Sequence, residues 1–224
     1  MIRKTILATF ALLLVACTTF AQAGGTYTSD NSFRNNWFVS VGGGLNMYFG
    51  DHDKQADFGD RLSPAIDVAV GKWFTPVVGA RLMYSGLSAK GATRWGVAHS
   101  TGEQVDGWGT GMYHSKFNFY SFQADALFNL CNAFKGYDEE CLYNCSPYVG
   151  IGVIHTSDAP KETSVTGHFG ILNTFRLNSA LDFNVDLRST FLNDDFDGEP
   201  GGRGEGMLSA TIGFTYKFKA RGWN

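Results

Sequence analysis

Residues 207–218, MLSATIGFTYKF, alternate without interruption between two kinds of side chain. Leu208, Ala210, Ile212, Phe214, Tyr216 and Phe218 fall on one side, and Ser209, Thr211, Gly213, Thr215 and Lys217 on the other. Successive side chains of a β-strand point to opposite faces, so this segment is a wall with one apolar and one polar surface. Two architectures use such a wall. A soluble sandwich or barrel turns the apolar face inward, whereas a barrel in a bilayer turns it outward. What the other strands carry on their polar faces decides between them.

The chain opens with a targeting segment. Arg3 and Lys4 precede an apolar run, 5–16, too short to span a bilayer comfortably, and Ala21-Gln22-Ala23 is an A-x-A cleavage site. The reading is a signal peptide over 1–23, with Leu14-Val15-Ala16-Cys17 as an alternative lipoprotein box. A barrel needs no lipid anchor to stay in a membrane, which favours the A-x-A site. The formal net charge of −3 becomes −5 once Arg3 and Lys4 leave, and this argues against a nucleic-acid partner. Beyond the signal no apolar run approaches the ~20 residues of a transmembrane helix.

Eight strands are predicted, with no helix between them: 37–49, 65–74, 77–87, 117–130, 147–155, 164–177, 181–191 and 207–218. Thr75-Pro76 and Asn178-Ser179 mark tight turns. Phe117 and Phe119 fall out of phase with the apolar series from Tyr120 onward, which predicts a bulge or an extended rim near Asn118. Met83 interrupts the polar face of the third strand. Short and long connections alternate, the longest being 88–116, as in a membrane barrel with its turns in the periplasm. The segment 131–146 is a long excursion on the short-turn side. It carries Cys131, Cys141 and Cys145, which allow one bridge and one leftover thiol. Cys131–Cys145 is the preferred pair and Cys141–Cys145 the alternative; zinc lacks a fourth ligand at suitable spacing.

The polar faces collect Asp67, Arg81, Asp125, His168, Arg176, Asp182, Asp186, Arg188 and Lys217. Unpaired in a soluble core, such groups cost several kcal/mol each, and Arg or Lys facing lipid costs about 2–4 kcal/mol at the midplane. Inside a barrel, acids and bases can pair with one another. The expected fold is therefore all-β: an eight-stranded antiparallel up-and-down transmembrane barrel, apolar side to lipid, spanning 24–218 with a short tail at 219–224. Eight strands enclose a space that side chains can fill, so the same charged network is expected to plug the lumen.

Two resemblances follow from these residues. The last strand resembles the terminal signal by which bacterial outer-membrane barrels are recognised for insertion, with Thr211, Gly213, Tyr216 and Phe218 at its defining positions. The chain from 36 to 218 resembles the N-terminal barrel of the outer membrane protein A (OmpA) family. The resemblance rests on NWF at 36–38, GDHDKQ at 50–55, FGDRL at 58–62, DVAVGKWFTP at 67–76, ADALFNL at 124–130 and SPYVGIG at 146–152. It implies an outer-membrane barrel of a Gram-negative bacterium with a structural or surface role and at most a narrow channel for small solutes or ions. The family typically adds a peptidoglycan-binding domain, whereas this sequence stops six residues after Phe218. The implied partners are outer-membrane lipid, the insertion machinery with periplasmic chaperones, and surface ligands of the long loops; the barrel is expected to be a monomer.

Two other functions compete. His99-Ser100 and His114-Ser115, with Glu103 or Asp106 as the acid, could serve a lipid hydrolase or acyltransferase if they converged. A periplasmic lipocalin-like binder would put the apolar faces inside. Asn193 to Glu199 and the acids Asp51, Asp53, Asp57 and Asp60 read as solvated loops rather than Ca²⁺ ligands, and Trp95 and Trp108 as loop aromatics. Gly42, Gly43 and Gly44 precede no helix and so form no phosphate loop. No cofactor, metal or catalytic residue is assigned.

Overall fold

The computed structural model describes residues 35–49, 59–94, 99–105, 111–158, 161–192 and 206–218. Among the described residues there are nine strands and one short helix: β1 (Trp37–Phe49), β2 (Leu62–Trp73), β3 (Val78–Arg94), β4 (Ser100–Gln104), β5 (Met112–Phe128), α1 (Leu130–Lys135), β6 (Tyr143–Thr156), β7 (Thr163–Arg176), β8 (Leu181–Phe191) and β9 (Gly206–Lys217). Every pairing is antiparallel. Eight strands pair in sequence, and β9 returns to β1, from Phe38↔Lys217 to Phe49↔Gly206, so the sheet closes. β4 lies outside this ring, against β5 alone. No helix among the described residues is long and apolar enough to cross a membrane; the crossing elements are strands.

Apolar residues face outward. Leu82, Phe122, Ile151 and Ile212 each leave more than half of their surface exposed, while the alternate positions are buried polar residues. That is the reverse of a soluble barrel, and it removes the lipocalin-like alternative. The turn end is held locally by side chains. Thr75 Oγ1 accepts from the backbone N–H of Val77 and Val78, and Asn178 Oδ1 from those of Ala180 and Leu181.

The structure corrects the sequence-based expectation in several places. The connection after β5 contains a helix. Asn129 caps α1 by accepting from the Asn132 N–H at 2.9 Å, and Gly136, at φ 83°, ends it. Asn132 Nδ2 then donates to the Pro76 carbonyl at 2.7 Å, tying the helix to the β2–β3 turn. The segment 88–116 is not one long loop. β3 and β5 stay paired from Val78↔Phe128 to Arg94↔Met112, well past the last β2 partner at Ala65↔Leu87 and the last β6 partner at Phe119↔Thr156. The result is a two-stranded arm at the loop end, widened by β4.

Of the two alternatives expected at Asn118, the extended rim is the one found: β5 runs through it in unbroken register with β3, with no bulge. Phe117 and Phe119 point inward, like Ser115 and Ser121. The local irregularity lies on the facing strand, where Leu87 adopts φ 133°. The boundaries shift for β2, which begins at Leu62, for β6, which begins at Tyr143, and by one residue for β7 and β9. The signal peptide with Cys17, the acids Asp51, Asp53 and Asp57, Trp95, Trp108, residues 193–205 and the tail 219–224 lie outside the described residues; Asp60 is exposed in the turn before β2.

The closing seam is tight. Gly42 and Gly213 are register partners. A Cβ on Gly213 would lie 2.1 Å from the Val41 carbonyl oxygen and 2.6 Å from Gly42 Cα, so the strands must separate to admit one. Gly213→Ala should destabilise the barrel by about 1–3 kcal/mol. The temperature at which its mobility shifts on a detergent gel should fall. Gly167→Ala, where nothing lies within 4 Å, should leave that temperature unchanged.

Candidate functional site

Three tiers of polar side chains fill the lumen, each supplied by inward positions of several strands. In the tier towards the turn end, Lys217 Nζ pairs with Asp182 Oδ1, and Asn184 Nδ2 donates to Thr215 Oγ1 at 2.7 Å. Arg176 stands in register with Asp182 at the rim, half-buried. In the middle tier, Arg81 donates through Nε to Asp125 Oδ2 at 2.7 Å and through Nη1 to Asp186 Oδ2 at 2.9 Å. Its guanidinium also lies 4.5 Å from the ring centre of Tyr148, whose hydroxyl donates to Asp186 Oδ1 at 2.6 Å. His168 Nε2 meets the other oxygen of Asp125. In the upper tier, Arg188 Nη2 binds Asp67 Oδ1 at 3.1 Å and Ser85 Oγ at 3.0 Å, while Thr211 Oγ1 donates to Asp67 Oδ2 at 3.1 Å. Met83 lies in the lumen and accepts from Arg188 Nη1 through its sulfur at 3.2 Å.

The tiers assemble because glycines stand between their members. Asp125, Gly150 and His168 occupy one rung across β5, β6 and β7. A Cβ at Gly150 would lie 2.3 Å from His168 Nε2 and 2.4 Å from Asp125 Oδ1, so only glycine lets the two side chains meet over the strand between them. Tyr148, Gly170 and Arg188 form the next such rung, in which a Cβ at Gly170 would strike the Tyr148 hydroxyl. These glycines carry no charge and went unassigned from sequence. Their signal is glycine repeated at inward positions of adjacent strands.

Apolar residues close the loop end of the polar column and narrow it at the turn end, beside the middle tier. Tyr48, Phe117, Phe119, Ile154, Leu192 and Met207 cluster at the loop end, with Tyr48 and Phe117 edge to face at 5.7 Å. Phe38, Leu127, Tyr148 and Leu172, with Trp73 against them, cluster at the turn end. The middle and upper tiers are thereby kept from bulk water, which strengthens their pairing, whereas Lys217 and Asp182 line a cavity at the turn end.

The His/Ser candidates do not assemble a catalytic set. Ser100 and Ser115 are register partners, yet Ser115 is buried and no hydroxyl–imidazole hydrogen bond joins residues 99, 100, 114 and 115 among the described residues. The His99 ring stacks on Phe117 at 4.8 Å; burial pushes its imidazole below the usual value, with Asp158 acting in the opposite sense. Glu103 is exposed on β4, and Asp106 lies outside the described residues. At the turn end, Cys131, Cys141 and Cys145 are free thiols. The Cys145 N–H points at Cys131 Sγ, 3.4 Å away. The inward-facing Thr211 and Gly213 and the lipid-facing Tyr216 and Phe218 occupy the closing strand and the residue after it, the two rings edge to face at 5.5 Å.

A closed eight-stranded ring with an apolar exterior and a charged, packed interior defines a small outer-membrane β-barrel. No protein-family model matches the chain. It is 26% identical to outer membrane protein 40 of Porphyromonas gingivalis (strain ATCC BAA-308 / W83), in an alignment 227 residues long, gaps included, that covers 96% of this chain and 56% of that protein. It is 28% identical to outer membrane protein 41 of the same strain, in an alignment 218 residues long, gaps included, that covers 87% of this chain and 51% of that protein. The chain thus spans about half the length of the curated relatives it matches. Its fold is shared with the crystal structure of Neisserial surface protein A at a TM-score of 0.52 and 10% identity, covering 81% of this chain and 97% of that one. The protein is an eight-stranded β-barrel of the outer membrane.

Arg81 is the cation that two buried carboxylates share. Arg81→Met should lower stability by about 3–5 kcal/mol, because Asp125 and Asp186 lose their counter-charge in a low-dielectric interior. Urea unfolding in phospholipid vesicles, followed by tryptophan fluorescence, measures the loss.

Proposed function

We propose that this protein is a monomeric structural barrel of the outer membrane that presents its loop end to the exterior and whose lumen is sealed, admitting at most slow passage of small solutes or ions. The observation that carries this reading is the packed, mutually paired charged column, closed at the loop end by an apolar cluster and narrowed at the turn end by Phe38, Leu127 and Leu172. An ion crossing would have to pass Phe117 and Phe119, separate Arg188 from Asp67 and Arg81 from two carboxylates, and then pass Leu127 and Leu172. The orientation follows from the short turns at one end and the arm and longer connections at the other. Thr211, Gly213, Tyr216 and Phe218 are read as the segment recognised by the insertion machinery, with periplasmic chaperones holding the chain beforehand. Ligands of the loop end are the expected surface partners.

Planar-bilayer recording tests the sealed lumen. The folded protein should give no sustained open-pore current at neutral pH, and a steady conductance from barrels verified as heat-modifiable would overturn the reading. We propose also that Cys131 and Cys145 form a disulfide in the oxidising periplasm, a reading supported by the approach of the Cys145 amide to the Cys131 sulfur. Peptide mapping of the protein alkylated without reduction should recover the two as a linked pair. Both recovered as alkylated thiols would refute the bridge.

A further inference from the structure

The outward face of β5 changes character along its length. From the turn end it runs Ala126, Ala124, Phe122, Tyr120, and then Asn118, Lys116 and His114. With a strand rise of about 3.4 Å per residue and a tilt near 45°, Lys116 stands roughly 10 Å beyond Tyr120 along the barrel axis. The neighbouring strands change at the same height. β3 places Lys90 opposite Lys116 and Ala92 opposite His114, and β6 places His155 opposite Tyr120. Two lysines and two histidines therefore share one flank. Below them lies an aromatic floor, in which Tyr84 meets Phe122 at 5.4 Å and Tyr120 meets His155 at 5.1 Å.

Glu103 on β4 stands near His114, but no carboxylate among the described residues pairs with either lysine. Like charges directly opposite on an antiparallel pair repel. Neither the Lys90 nor the Lys116 ammonium makes an ion pair or hydrogen bond among the described residues. The carboxylate beside them, Asp158, is directed at backbone, taking the Asn118 N–H at 2.6 Å. Elsewhere at the loop end Phe191, Leu208 and Val165 are outward and apolar, and the cation Arg61 lies over the Phe49 ring on the β1–β2 side. The paired lysines of the β3–β5–β6 flank sit where lipid headgroups meet the barrel wall.

We propose that this flank, centred on Lys90 and Lys116, binds the phosphate-bearing headgroup of an outer-leaflet lipid whose chains lie on the aromatic floor below. The inference rests on the orientation proposed above, with the loop end outward. Lysine serves phosphate as a compact point charge, and a phosphate between the two ammonium groups converts their repulsion into attraction to a shared anion.

The test uses the intact barrel in phosphatidylcholine nanodiscs with and without dioleoyl phosphatidic acid, counting retained lipids by native mass spectrometry. The wild type should retain phosphatidic acid roughly tenfold over phosphatidylcholine. The K90Q/K116Q variant should lose that preference, K90R/K116R should keep it, and Lys135→Gln, on the turn-end helix, should leave it intact. Heat-modifiable mobility verifies folding of each variant. Equal retention by wild type and K90Q/K116Q would overturn the site, and binding of inorganic phosphate in lipid-free detergent as tight as that of phosphatidic acid would overturn its assignment to a lipid. A conducting barrel would leave these counts unchanged, and a lost lipid preference would leave the conductance unchanged, so the two readings fail separately.

Discussion

The pairing of Arg81 with Asp125 and Asp186 is the interaction on which the rest of the barrel depends. Lipid surrounds the wall, so the hydrophobic effect that packs a soluble core cannot hold this one together. The interior must be held by complementary charge and hydrogen bonds. Arg81, Arg188 and Lys217 are set against Asp67, Asp125, Asp182 and Asp186, and His168 gives Asp125 a further partner. Arg81–Asp186 and Arg188–Asp67 join strands far apart around the ring, while Arg81–Asp125 and Lys217–Asp182 join neighbours, so the column braces the tube across its diameter as well as around its wall. Burial makes every pair strong and every broken pair expensive.

Space for that column comes from residues without side chains. Gly150 and Gly170 sit directly under the side chains that meet above them, and Gly42 and Gly213 draw the first and last strands together. A narrow tube can hold arginine, tyrosine and histidine side chains only if part of its inner wall is bare. Glycine in this barrel is thus a packing residue, paired with the large polar groups as a hole is paired with a knob.

Much of this was legible in the sequence. Where lipid lies on one side and charge on the other, strict alternation reveals the faces, and 181–191 emerges with both ends in place because both of its faces are unambiguous. The arm was not legible for the converse reason. Past the membrane boundary the exterior is water and the interior is an apolar seal, so Phe117 and Phe119 turn inward while Lys116 and Asn118 turn outward. The polarity of the alternation inverts without any change of register, and this inversion resembles a bulge when only the pattern is read. Helix α1, of six residues, is too short to show a period and exists through its Asn129 cap and its tether to Pro76. The charged residues themselves were evident, but their partners follow from register. Arg81 meets Asp125 because β3 pairs with β5, and Met83 reaches Arg188 across the lumen, neither of which composition reveals.

The ring closes between its first and last strands, with Val41 opposite Phe214. This junction joins residues from opposite ends of the chain, whereas β7 and β8 meet across the four residues 177–180. The pairing that turns a sheet into a barrel is therefore the one with the largest loop-closure cost, and it can form only after β9 has been delivered. Until it forms, the edges of β1 and β9 are open, and Arg188 and Asp67 stand on strands that only closure brings around one lumen. The last strand thus carries both the seam of the wall and the completion of its interior.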